Sequence, residues 1–140
     1  LKRMSAIVLS DESNRSLLNS ILHPRCHAEQ ERWVHQCEAD DPNGIAIIDA
    51  ALMIESGGYA RFDKLIVVWC EPAIQLKRLM LRDNLNELEA LKRINAQMPQ
   101  DEKKRHADFL IDTSHGLDDT RRQTIELAGT LRELAEQTDG

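Results

Sequence analysis

No apolar run in this sequence approaches the ~18–20 residues that a membrane-spanning helix needs. The opening LKRMSAIVLS has neither an apolar h-region nor a small-residue cleavage site. The expectation is a soluble protein of the cytoplasm without a membrane partner. Basic residues are also short: 18 Lys and Arg stand against 24 Asp and Glu, a formal net charge of −6. That balance argues against a nucleic-acid coat, which needs an excess of positive charge along a surface. It leaves room for a small anion held by a few local arginines. Cysteine is limited to Cys26, Cys37 and Cys70, with no paired spacing, so a disulfide framework is not expected. There is no internal repeat, no low-complexity segment and no GxxxxGK[ST] phosphate loop. Gly57-Gly58 does not qualify, because no lysine and hydroxyl residue follow in that spacing.

What the sequence does contain is organised around residues 66–82, IVVWCEPAIQLKRLMLR. The run from Ile66 to Trp69 is β-branched and aromatic, as suits a strand covered on both faces. Pro72 stands where a first helical turn tolerates a missing N–H. Leu76, Leu79 and Met80 then recur at helical spacing and predict one inward face. Arg78 and Arg82 are neighbours on another face. Strand, tight turn and arginine-bearing helix is one way an α/β protein aims positive charge at a phosphate beyond its strand ends. The plainer alternative is two solvated arginines.

Taken in order, Ser10 or Asp11 caps a helix to about residue 22, with Leu17, Leu18, Ile21 and Leu22 inward. His23-Pro24 interrupts it. A second helix covers about 24–39, and 40–44 (DDPNG) is a turn. Residues 45–49, IAIID, are a buried strand. After the strand and helix of 66–82, Asn86 with Glu89 forms a capping-box start for a fourth helix. A short charged helix follows at about 100–106. Residues 109–111 are a third strand, and a final helix runs over about 117–135, with Leu127, Leu131 and Leu134 inward. Strands alternating with helices predict an α/β fold with a parallel sheet of about three strands.

Several clusters allow two readings each. Asp49 ends a strand and pairs in sequence with Glu55: carboxylates for Mg²⁺ through water, or a strand-end cap. His23, Cys26 and His27 share a helical face, but Pro24 and the lack of a CxxC pair weigh against zinc, and no metal site is assigned. Cys70 reads as a small core residue more simply than as a nucleophile. Arg93, Gln97 and Lys103 to Arg105 form either a basic flap over a phosphate or a solvated run.

Six stretches together resemble the dephospho-CoA kinase family of P-loop kinases. They are residues 17–24 (LLNSILHP), 49–56 (DAALMIES), 62–68 (FDKLIVV), 75–83 (QLKRLMLRD), 93–99 (RINAQMP) and 107–112 (ADFLID). They fall in that family's order and cover essentially the whole chain. The resemblance implies one partial kinase domain over 1–140, of P-loop NTPase type with a helical lid. Within it, 1–43 is a helical CoA-side segment, 44–72 holds core strands, 73–106 the lid-like helices, and 107–140 a core strand and the last helix. It implies ATP with Mg²⁺ as phosphoryl source and dephospho-CoA as acceptor, with phosphorylation of the ribose 3′-hydroxyl. Arg78 is implied to stabilise the transferring phosphoryl group, with Arg82 assisting. His23, Asp49, Glu55, Arg93, Gln97 and Lys103 are implied on the substrate and lid side. Asp112 and Thr113, with Arg78, are implied near the nucleotide.

The departures from the family pattern shape the expectation too. The family's P-loop, its lysine and the catalytic aspartate are absent from the 140 residues. Leu1-Lys2-Arg3 matches a motif that follows them in the family, so a piece of a longer kinase is expected, inactive in isolation. Ala51 stands in place of a proline and Thr113 in place of an asparagine. The alternative is a truncated, non-catalytic module that binds CoA or nucleotide; a kinase for another small nucleotide is a third reading.

Overall fold

A computed structural model describes residues 11–138. Ser10 and Leu1-Lys2-Arg3 lie outside that range. The chain divides into two compact units, 1–49 and 50–140.

In the first unit, a single helix α1 spans Glu12–Asp40. Asp11 caps it: its Oδ1 accepts from the Ser13 N–H at 2.8 Å. The expected break at His23-Pro24 is corrected, because Pro24 lies inside α1. Proline removes one N–H and so one backbone bond, the one to the Ser20 carbonyl. The helix on either side of that gap is long enough to stay in register. Leu17, Ile21, Leu22 and Trp33 are 62, 50, 43 and 48% exposed. The expected inward face is therefore not buried. The 45–49 strand is also corrected, since it pairs with no other strand among the described residues. β-branched residues suit a pleated backbone, but only a partner's N–H and C=O groups make a strand of it.

The second unit holds two strands, β1 (Ile66–Trp69) and β2 (Phe109–Asp112). They pair in parallel, with Ile66 opposite Phe109 and Trp69 opposite Asp112. The sheet is thus parallel as expected, with two strands among the described residues rather than three. Helix α2 (Pro72–Asp83) starts at Pro72. It ends at Asn84, which takes the left-handed conformation, φ 51°. Helix α3 (Glu87–Asn95) opens with the expected reciprocal cap. Asn86 Oδ1 accepts from Glu89 N at 2.9 Å, and Glu89 Oε2 from Asn86 N at 3.1 Å. Helix α4 (Gln100–Lys104) is one short turn, and α5 (Leu117–Thr138) closes the chain. Among the described residues, Met53, Ile54, Val67, Cys70, Ala90 and Ile111 are the buried apolar ones.

Two glutamines finish the sheet. β1 turns the Leu65 and Trp69 carbonyls toward β2, where they accept from Phe109 and Thr113. The N–H and C=O of Cys70 therefore face the opposite edge, and Gln100 bonds both, each at 3.1 Å. Gln123 does the same on the outer edge of β2, to Asp112 N at 2.9 Å and Asp112 O at 2.8 Å. Each side-chain amide stands where a neighbouring strand's peptide would be.

Candidate active site

The place where parallel strands end is where α/β proteins receive ligands. Here that place is tied together by Thr113, the residue after β2. Its N–H and its hydroxyl both donate to the Trp69 carbonyl, at 2.9 and 3.0 Å. Arg78, in the middle of α2, reaches the same residue. Its Nη1 donates to Thr113 Oγ1 at 2.9 Å and its Nη2 to the Thr113 carbonyl at 2.7 Å. The strand–Pro–helix sequence thus folds so that a guanidinium lies across the carboxyl ends of both strands.

Other groups surround that end. Asp112 Oδ1 accepts from Ser114 N at 2.8 Å, and His115 Nε2 stands 3.6 Å from Oδ2. Hydrogen bonding from Ser114, with the charge of Lys104 adding to it, holds the Asp112 carboxyl below its ordinary range. Lys104 places its ammonium 4.1 Å from the centre of the Trp69 ring. Gln100 Nε2 also donates to Gln75 Oε1 at 2.8 Å, which joins the starts of α2 and α4.

Arg82 and Arg93 meet on one carboxylate instead. Asp83 accepts from Arg82 Nε at 2.9 Å and from Arg93 Nη1 at 2.6 Å. The Arg82 hydrogen bond is the main cause that holds Asp83 below its usual range, and the same bond raises Arg82. The Arg82 side chain is 75% exposed, so water screens this pair.

Glu55 and Lys103 form a third group. Lys103 Nζ lies 2.8 Å from Glu55 Oε1, with side chains 15 and 22% exposed, respectively. Lys103 also donates to the Ala51 carbonyl at 3.3 Å, and Met98 N donates to Glu55 at 3.3 Å. Burial pushes the Glu55 carboxyl up, but the Lys103 hydrogen bond and charge, with the backbone donors, outweigh it and hold it below its ordinary value. The pair ties the 51–56 turn to the segment around Pro99. Gln97 precedes Met98 in the chain, its N–H bonded to the Ile94 carbonyl at 3.1 Å.

In the first unit, His23 stacks on His27 with ring centres 6.2 Å apart, and Asp49 is exposed. Among the described residues no three His, Cys, Asp or Glu side chains gather as a metal site. No described helix is long and apolar enough to cross a membrane. Sequence reasoning missed Gln100, Gln123 and the Lys104–Trp69 contact. Their partners are 30, 11 and 35 residues away in sequence, and an amide gives no periodic signal.

A parallel sheet with helices around it, and a guanidinium fixed over its strand ends, is the construction of an α/β protein that receives an anionic ligand beyond its strands. A family model described as dephospho-CoA kinase matches residues 1–119, and the chain belongs to that family. It is 39% identical over 127 residues to a dephospho-CoA kinase of Listeria innocua, covering 88% of this chain and 61% of the relative. It is 33% identical over 138 residues to one from Rhodopseudomonas palustris, covering 97 and 68%. A solved dephospho-CoA kinase from Campylobacter jejuni superposes with a TM-score of 0.64 at 26% identity, covering 94% of this chain and 65% of that one. The chain therefore spans roughly two thirds of the length of these relatives, and 61% of the Listeria protein.

Proposed function

We infer that the protein carrying this chain transfers the terminal phosphoryl group of ATP to the ribose 3′-hydroxyl of dephospho-CoA. Family membership supports the reaction, and the hold of Arg78 on Thr113 at the strand ends is the observation that carries the site. In such a transfer the acceptor oxygen bonds to the γ-phosphorus while the bond to the bridging oxygen breaks. Charge spreads over the transferring group, so positioning and neutralisation are what the protein contributes. Arg78 supplies a fixed guanidinium for that charge. Arg82 assists from the same helix once it leaves Asp83. Arg93, Gln97 and the Glu55–Lys103 pair set the position of the α3–α4 segment over the acceptor. Asp112 and Thr113 border the nucleotide. The family resemblance assigns His23 and Asp49 to dephospho-CoA as well.

Mg²⁺ is the usual companion of ATP, held by one or two carboxylates, waters and the phosphates themselves. The described residues offer no cluster of three ligands, and what they contribute is positioning and positive charge. The 140 residues contain no GxxxxGK[ST] loop, so a phosphate cradle of that kind is not among their contributions. A cytoplasmic location belongs to the same reading.

The test is formation of coenzyme A by the full-length protein from ATP and dephospho-CoA, followed by chromatography. The expected result is one CoA and one ADP per turnover. Absence of CoA at saturating substrates, with a well-folded protein, would refute the reading.

A further inference from the structure

We propose that Thr113 is the positioning residue of Arg78, whose hydroxyl sets the direction in which the guanidinium faces its anion. The inference rests on the functional reading above and deepens it. The hydroxyl has one hydrogen and lone pairs to spare. The Trp69 carbonyl can only accept, so that hydrogen goes to it at 3.0 Å. A guanidinium can only donate, so the Oγ1 lone pair receives Arg78 Nη1 at 2.9 Å. The polarity of the chain is therefore fixed: β1 carbonyl, threonine hydroxyl, arginine. The second contact, Nη2 to the Thr113 carbonyl at 2.7 Å, makes the hold bidentate. A planar fork gripped at two points cannot rotate about either one.

The grip is rigid because its base is rigid. Thr113 N–H also donates to the Trp69 carbonyl, at 2.9 Å, so both bonds from Thr113 end on the last residue of β1. Two of the five N–H donors of Arg78 are used by Thr113, which leaves three to meet a phosphoryl group. A side chain on an exposed helix face would otherwise lose rotamer freedom only on binding. Here the orientation is set before any anion arrives, the condition under which electrostatic stabilisation is effective.

The experiment is kinetic and spectroscopic, on the full-length protein. Thr113→Val keeps the side-chain shape and removes the acceptor, leaving Arg78 a single hold on the backbone carbonyl. The expected result is a kcat lower by about 10- to 100-fold, as a misplaced group costs, with both KM values within about 2-fold. Thr113→Ser should restore kcat. Nitrogen-15 NMR of the Arg78 guanidinium in the nucleotide-free protein should show faster rotation in Thr113→Val and wild-type rotation in Thr113→Ser. Thr113→Ala is read in the same way should the valine variant not fold. Wild-type kcat in Thr113→Val, alongside a collapsed kcat in Arg78→Ala, would overturn the inference and leave the functional reading intact. A raised kcat would also overturn it, because the contact would then restrain Arg78. If the wild-type protein makes no CoA, the functional reading fails and NMR decides this one: unchanged rotation in the valine variant overturns it, faster rotation supports it.

Discussion

Removing Lys103 should show how much the Glu55 pair contributes and at what pH. Consider Lys103→Met, Glu55→Gln and the double variant. At the 2.8 Å separation, Coulomb attraction is about 1.5 kcal/mol in a water-like dielectric and about 6 kcal/mol at an effective dielectric of ~20. With side chains 15 and 22% exposed, desolvation offsets much of the larger figure. Fully exposed pairs couple by about 0.2–1 kcal/mol. We expect a coupling energy of about 1–2 kcal/mol at pH 7, a factor of about 5–30 in the folding equilibrium. The sign with pH follows from the depressed Glu55 carboxyl. Its contribution is complete above the unfolded-state pKa, near the ordinary carboxyl value of 4.5, and is lost as pH falls through the lower folded-state pKa. Urea unfolding followed by circular dichroism gives the cycle, and carbon-13 NMR of the Glu55 carboxyl gives its titration. In Lys103→Met that carboxyl should titrate higher than in the wild type, because burial then acts without its counter-charge. A coupling below about 0.3 kcal/mol at pH 7, or an unshifted Glu55 titration, would refute the reasoning.

Arg78→Ala in the full-length protein should lower kcat by about 10²–10³-fold, the usual effect of losing one group that stabilises developing charge. The KM for dephospho-CoA should stay within about 2-fold, and an unchanged kcat would contradict the role given to Arg78. Asn86→Ala should destabilise the protein by about 1 kcal/mol through loss of the α3 cap, read from the urea midpoint. No shift in that midpoint would mean the cap forms no net interaction. Pro24→Ala should stabilise α1 by up to ~3 kcal/mol, since the Ser20 carbonyl regains a partner. A lower melting temperature in that variant would contradict a continuous helix through Pro24.

Much of the second unit was legible because its signals are local. Pro72 marks where α2 begins, Asn84 supplies the left-handed residue that stops it, and Asn86 with Glu89 announces α3 within four positions. β1 and β2 are short runs of Ile, Val, Phe and Trp whose composition already suits a covered parallel sheet. The failures have two origins, one non-local and one local. Residues 45–49 have strand composition, yet a ladder depends on a partner that composition does not name. Pro24 carries a breaking signal, but one lost bond did not outweigh the regular helix on both sides. At the candidate site, the spacing of Arg78 indicated which side of α2 it leaves, and Pro72 indicated that α2 starts at the strand end. That Thr113 would receive it could not be read, because the two are 35 residues apart. Arg82 shared the helical face of Arg78 in sequence, but its neighbour Asp83 draws its guanidinium aside.

The two glutamines that complete the sheet also limit what can be added to it. An incoming peptide that tried to zip along β1 would meet Cys70 already engaged, and along β2 it would meet Asp112 engaged. Such a guest could make contact over only a few residues before meeting a seated amide. At the carboxyl end of each strand the backbone groups are thus satisfied from within the unit, so pairing alongside either strand would stop at that end.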